Sequence, residues 1–280
     1  MSKIPNNITY SVGICGMGFV GSAVYRTFTK KGVNVVGYDK FKKCDHRRDD
    51  LLTCRFILLC LPTVFDSESN CYDKQSIFDT CDFLADNNFT GGVIIKSTVE
   101  PGTTEKLAKQ YDGLSFVHNP EFLTARTAEE DYHNQSHIVL GRPTGCQDDI
   151  YQHIIEFHKE MFPRAVVSCC TTMESESMKI FANCFYAVKV QFFTELYMLC
   201  GKLDLDYDLI KTMIIRNGWL NPMHTDVPGP DGKVSYGGMC FPKDTNALLS
   251  YMKDNDTPCS VLEGTIKERD TMRRDNDNCV

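Results

Sequence analysis

The chain of 280 residues is 42% hydrophobic and 24% charged, which allows about two globular domains and a sizeable buried core. A formal charge of −7 argues against a nucleic-acid groove or an anionic membrane surface as the main partner. The longest strongly apolar run, Phe56 to Leu61, is too short to span a bilayer, and Met1 to Tyr10 lacks the pattern of an export signal, so a cytoplasmic protein is expected. The fourteen cysteines are scattered without C-x-x-C pairs and read as reduced core residues, with one set aside for chemistry. Cys44, His46 and Cys54 match no common zinc spacing, and no metal is expected.

In chain order, Tyr10 to Ile14, Val33 to Tyr38, Arg55 to Leu61, Gly92 to Lys96 and Leu114 to Val117 are short apolar, β-branched runs separated by amphipathic stretches. Such alternation predicts a parallel sheet covered by helices. His137 to Gly141 and Ala165 to Ser168 flank a helix over Asp148 to Met161 and extend the same unit, giving a first domain of residues 1–171. From Thr172 the pattern becomes helical: Met178, Phe181, Phe185, Val188, Phe192, Leu196 and Leu199 recur at steps of three and four through about Cys200. This stripe is expected to pack against the next helices, Tyr207 to Asn217 and Lys243 to Lys253, or against a partner chain. Residues 172–280 thus form a helical second domain with a long central helix. Trp219 to Gly238, with Pro222, Pro228 and Pro230, reads as a ligand-contacting loop, and the polar tail from Arg269 as frayed and solvated.

The first strand runs into Gly16-Met17-Gly18-Phe19-Val20-Gly21 and then a helix over Ser22 to Lys31. Gly16 suits the tight turn, Gly18 lets backbone approach a pyrophosphate, and Gly21 permits close helix packing. The helix N-terminus supplies unpaired N–H groups and a positive dipole. Asp39 closes the second strand where a carboxylate accepts from a ribose 2′-hydroxyl, which favours NAD over NADP, and Lys40 can reach the adenosine side. The expected fold is α/β, a Rossmann-type doubly wound parallel sheet followed by an α-helical domain.

Four further stretches are Ser97-Thr98-Val99-Glu100-Pro101-Gly102-Thr103-Thr104, Asn119-Pro120-Glu121-Phe122-Leu123, Lys179-Ile180-Phe181-Ala182-Asn183 and Gly237-Gly238-Met239-Cys240-Phe241-Pro242-Lys243-Asp244. Physically, Cys240 follows two glycines and precedes a helix start, where the dipole and Lys243 favour a thiolate. Lys179 and Asn183, four apart, share a helix face. Together with the glycine fingerprint, these stretches resemble the UDP-glucose and GDP-mannose dehydrogenase family through about Asp244.

The resemblance implies an NAD-dependent, four-electron oxidation of a nucleotide sugar's CH2OH, with UDP-glucose foremost and GDP-mannose or a UDP-N-acetylhexosamine as alternatives. It implies Cys240 as nucleophile, Glu121 as general base, Lys179 as oxyanion partner, Asn183 as a fixer of water or substrate, and Asp244 as holder of a water. Pro62, Thr63, Thr98 and Lys243 join the cofactor contacts. Phe122, Leu123, Lys233, Tyr236 and Gly237 line the sugar pocket, and Arg216 reaches a substrate across a homodimer.

Three departures stand out. Ala125 occupies the place of a second family glutamate, the segment between Asp39 and Leu61 is compressed so that a crossover helix is short or missing, and only a helix and a polar tail follow Asp244 where the family continues into another α/β domain. The chain therefore reads as a shortened member. A non-catalytic dinucleotide-binding relative is the alternative of another class. The β-hydroxyacid dehydrogenases also carry a Lys-x-x-x-Asn pair, but they need no cysteine after a Gly-Gly turn.

Overall fold

A computed structural model describes residues 10–273. In chain order the elements are β1 (Ser11–Cys15), α1 (Phe19–Lys30), β2 (Asn34–Tyr38), a 3-10 turn (Arg48–Thr53), β3 (Phe56–Leu59), β4 (Phe65–Asp66), β5 (Cys71–Tyr72), α2 (Gln75–Asp86), β6 (Gly92–Ile95), α3 (Thr103–Gln110) and β7 (Ser115–His118). There follow α4 (Ala128–His133), β8 (His137–Arg142), α5 (Asp148–Met161), β9 (Val166–Thr171), α6 (Thr172–Lys202), α7 (Tyr207–Arg216), α8 (Phe241–Asp254) and α9 (Ser260–Met272).

The chain divides into two compact units: residues up to Val64 together with Asp73–Lys179, and Phe65–Tyr72 together with Ile180 onward. The first unit thus runs through the opening turns of α6 rather than ending at Thr171, and it lends the β4–β5 hairpin to the second.

The first unit is built on a seven-stranded sheet of order β2-β1-β3-β6-β7-β8-β9. Every neighbouring pair is parallel except β7 with β8. One face buries Val24 and Phe28 of α1 and Ile154 and Phe157 of α5; the other buries Leu51, Ile77, Leu84 and Leu107. This two-sided burial explains why the strands are continuously apolar instead of alternating. The compressed crossover between β2 and β3 is met by the 3-10 turn in place of an α-helix. Its Leu51 plugs the sheet at Gly13, where an added Cβ would come within 2.9 Å of the leucine side chain.

Helix α6 starts where Thr171 and Glu174 form reciprocal bonds: Thr171 N donates to Glu174 Oε2 at 2.8 Å, and Glu174 N to Thr171 Oγ1 at 3.3 Å. In the next turn Glu176, fully buried, accepts from Gly102 N at 2.6 Å and Thr104 N at 2.8 Å. Helix α3 has no side-chain cap of its own, so this carboxylate serves its N-terminus. Burial lifts the Glu176 carboxyl to about 7 against the pull of those N–H groups.

In the second unit most of the bulky α6 stripe does not pack against the next helices, the first of the two expectations for it. Phe181, Phe185, Phe192 and Leu199 are exposed, whereas Ile180, Cys184, Ala187, Gln191 and Thr194 are buried. Cys184 and Ile180 join Ala247 and Leu248 of α8, Leu262 of α9 and Tyr72 of β5 in one core. Small residues on the seam let helices approach closely, which leaves the bulky members of the stripe outside. The polar tail also needs correction. Arg269 and Arg273 are buried, not solvated, and residues 274–280 lie outside the described residues.

Candidate active site

In the first unit the strand order turns back between β1 and β3, the place where open α/β sheets bind ligands. Gly16 adopts φ +94°, and a Cβ there would come within 2.5 Å of Cys60 O at the end of β3. Gly21 must also be glycine, because its Cβ would strike Gly16 O. Beside Gly18 there is open space, and α1 begins at Phe19 and Val20 with no side-chain cap, so its first N–H groups remain available to an anion. These features fit a dinucleotide pyrophosphate.

Asp39 accepts from Met17 N at 2.7 Å, Phe41 N at 2.9 Å and Lys42 N at 3.0 Å. Its burial pushes the pKa up, but the three N–H groups and the Lys42 ammonium outweigh that and hold the carboxyl below its usual range. Lys42, not singled out from sequence, donates to Met17 O at 2.8 Å, while Lys40 is exposed and reaches toward Asp79 at 4.0 Å.

At the carboxyl edge of the sheet Thr63 Oγ1 donates to Thr98 O at 2.7 Å, and Leu61 N donates to Ser97 Oγ at 2.9 Å. Pro62 is exposed between them. Lys96, directly after β6, is buried and donates to Asn119 O at 3.0 Å and Asn119 Oδ1 at 2.8 Å, while Asn119 Nδ2 donates to Val139 O. Burial lowers the Lys96 pKa to about 8, with Cys60 and Glu121 pulling it back up and Lys179 pushing it further down. An ammonium in so apolar a strand end is a residue that sequence reasoning passed over.

Pro120 leads to Glu121, whose Oε1 lies 3.2 Å from Lys179 Nζ and whose Oε2 accepts from Leu123 N at 2.7 Å. Lys179 Nζ also donates to Glu121 O at 2.5 Å and sits 5.4 Å from the Phe122 ring. Base and cation read separately from sequence thus form one nearly buried pair. Ala125 is exposed.

The second unit presents Cys240, which is exposed, as the N-cap of α8, with Pro242 in the first turn. Asp244 is fully buried. Its Oδ1 accepts from Tyr72 Oη at 2.5 Å and from Lys243 Nζ at 2.6 Å, and its Oδ2 accepts from Asn183 Nδ2 at 2.6 Å. Both oxygens are engaged by protein donors, three in all, so this carboxylate anchors its surroundings and keeps one of roughly four acceptor positions. Lys243 Nζ also lies 4.4 Å from the Tyr72 ring centroid. Tyr72 is the missing piece: it comes from a hairpin of two-residue strands that has no periodic signal.

Lys233 is exposed, Tyr236 is 2% exposed and packed inward, and Gly237 lies against the Arg273 guanidinium. Arg216, at the end of α7, is exposed.

Family comparison divides the chain in the same sense. Residues 42–160 match the NAD binding domain of the UDP-glucose/GDP-mannose dehydrogenase family, and residues 173–269 match its central domain. The chain belongs to this family. As a UDP-glucose/GDP-mannose dehydrogenase family member it has a Rossmann-like α/β fold with a helical domain and takes NAD as its dinucleotide. It is 31% identical over 189 residues to the UDP-glucose 6-dehydrogenase of Rhizobium meliloti (strain 1021), covering 65% of this chain and 42% of that protein. A UDP-glucose dehydrogenase from Pyrobaculum islandicum superposes with a TM-score of 0.83 at 19% identity, covering 96% of this chain and 70% of that one. A UDP-D-ManNAc dehydrogenase from Pyrococcus horikoshii gives 0.78 at 17% identity, covering 94% and 68%. At such identities the structural likeness speaks to fold alone. The chain spans about half the length of the curated relatives it matches, 42% and 53% of two of them. Among the described residues no helix is long and apolar enough to cross a membrane.

Proposed function

We propose that the chain oxidises the terminal CH2OH of UDP-glucose to a carboxylate in two steps, through a thioester on Cys240. The observation that carries this reading is the exposed Cys240 at the start of α8, beside a buried carboxylate network on the same helix. The names of the curated relatives support the choice of sugar.

NAD, when bound, supplies the hydride acceptor for each oxidation. The glycine turn and the start of α1 hold the pyrophosphate. Asp39, with three of roughly four acceptor positions taken by backbone, keeps one for a ribose hydroxyl. Pro62, Thr63 and Thr98 border the nicotinamide, and Lys40 the adenosine. The Cys240 thiolate adds to the aldehyde carbon, and the second hydride loss leaves the thioester. Glu121 takes a proton from the water that attacks this thioester, and the thiolate departs. Lys179 offsets the alkoxide and tetrahedral charges, as a cation already desolvated can do strongly. Asn183 and Asp244 position the start of α8, and Phe122, Leu123, Lys233 and Gly237 contact the sugar. Tyr236, being buried, shapes the loop beneath it. Per sugar, one alcohol and one water yield one carboxylate, two transferred hydrides and three protons.

NADH formed per sugar consumed is the test, with UDP-glucose, GDP-mannose and UDP-N-acetylglucosamine assayed in parallel. About two NADH per UDP-glucose is expected. A ratio near one would leave the aldehyde as product and remove the thioester hydrolysis, and no NADH with any sugar would overturn the enzymatic reading.

A homodimer is part of the proposal. Phe181, Phe185 and Phe192 on α6 and Leu209 and Met213 on α7 are exposed apolar side chains of the second unit that a partner chain would cover. Light scattering should return twice the chain's mass. A monomer mass would rule this out.

A further inference from the structure

Helix α9 follows every residue assigned above, yet its Arg269 and Arg273, the residue just past its end, turn back onto the loop that leads to Cys240. Arg273 Nη1 donates to Ser235 O at 3.2 Å and to Val234 O at 3.4 Å, and Arg269 Nε donates to Tyr236 O at 3.4 Å. Three consecutive carbonyls are therefore held by two guanidinium groups, both about 5% exposed (5% and 6%). Arg273 also pairs with Asp231, which lies in the turn closed by Gly229 N donating to Lys233 O at 2.8 Å. From the other side, Ser235 N donates to Thr194 Oγ1 at 3.0 Å and Ser235 Oγ to Gln191 Oε1 at 2.5 Å, both on α6. At the next residue but one, Gly237, a Cβ would strike the Arg273 guanidinium, so a side chain there must displace it.

Burying two charged side chains is costly unless they are paired and hydrogen-bonded; here Asp270 pairs with Arg269 at 2.8 Å, Asp231 pairs with Arg273, and further donors go to backbone immediately before Gly237-Gly238-Met239-Cys240. Glycines at 237 and 238, the latter at φ +78°, give that stretch little stiffness of its own. We propose that Arg269 and Arg273 are positioning residues for Cys240: they fix residues 234–236 so that the flexible glycines deliver the thiol to the first turn of α8. The consequence for turnover rests on the reading of Cys240 as nucleophile, but the clamp itself does not.

The test reads the thiol directly, without sugar or NAD. The full chain is alkylated with iodoacetamide, and labelling is mapped by peptide mass spectrometry at Cys240, at exposed Cys169 and at buried Cys184. Since Cys240 is already exposed, loosening its loop adds little access and removes its fixed place at the helix start. Arg273→Met is expected to slow labelling of Cys240 relative to Cys169 by about threefold or more, with Cys184 still protected. Arg273→Lys should recover part of the rate, because the ammonium can reach one carbonyl but not several. Gly237→Ala, which displaces the guanidinium from the opposite side, should reproduce the Met result, and it decides the matter if Arg273→Met does not accumulate folded. An unchanged Cys240 to Cys169 ratio in both variants overturns the proposal. So does labelling of Cys184 in step with Cys240, which would make the arginines general supports of the fold. Failure of the sugar assay with a normal clamp signature would count against the catalytic reading alone.

Discussion

Cys240→Ala is expected to lower steady-state NADH formation from UDP-glucose by more than about 10³-fold, because it removes the thiol proposed to hold the aldehyde as a covalent adduct. What survives is a single-turnover first oxidation, at most one NADH per active site, which stops at a retained aldehyde. Cys240→Ser should bind the sugar as well as the parent and turn over far more slowly, since a hydroxyl is a much weaker nucleophile than a thiolate at neutral pH. Both rates are read from NADH absorbance with product identified by mass. An alanine variant that still makes two NADH per sugar at the parental rate would end the thioester mechanism.

The largest stability effect is expected at Asp244. Alanine there strips Tyr72, Lys243 and Asn183 of a common acceptor and leaves a mostly buried ammonium uncompensated, at a cost of about 3–5 kcal/mol. Asparagine keeps the shape but turns an N–H toward at least one donor, for a loss of about 2 kcal/mol. Urea denaturation followed by circular dichroism measures both. Equal midpoints for the parent and Asp244→Ala would mean that the network contributes nothing to the fold.

Much of the first unit was legible because its signals are local. Strands betray themselves as apolar runs between turns, the glycines of 16–21 are demanded by backbone approach, and α5 spans Asp148–Met161 as the pattern predicts. Cys240 and its helix start were equally readable, since two glycines, a proline and a charged pair stand in sequence around it. What stayed hidden depends on what lies opposite. Helical spacing reveals which α6 residues share a face, but not that Ile180 and Cys184 rather than Phe181 and Phe185 meet α8 and its neighbours. Arg269 and Arg273 read as solvent-facing because arginine is seldom buried without partners, and besides Asp270 and Asp231 their partners are backbone carbonyls of a loop whose path no side-chain pattern records. Lys96 and Glu176 escaped notice for the same reason: each is satisfied by main-chain groups far along the sequence.

The loan of the β4–β5 hairpin to the second unit has a consequence for biosynthesis. Tyr72 and Asp244 are 172 residues apart in the chain, so their bond closes a very long loop and belongs to the late, high-contact-order part of folding. On a ribosome the hairpin emerges amid the first unit, which can complete its sheet while Tyr72 still lacks the helices that bury it. A nascent chain stalled before α8 therefore holds Phe65 and Tyr72 of an otherwise polar hairpin without the α8 and α9 residues that complete their core. For the same reason, no single cut in the polypeptide yields two self-sufficient pieces.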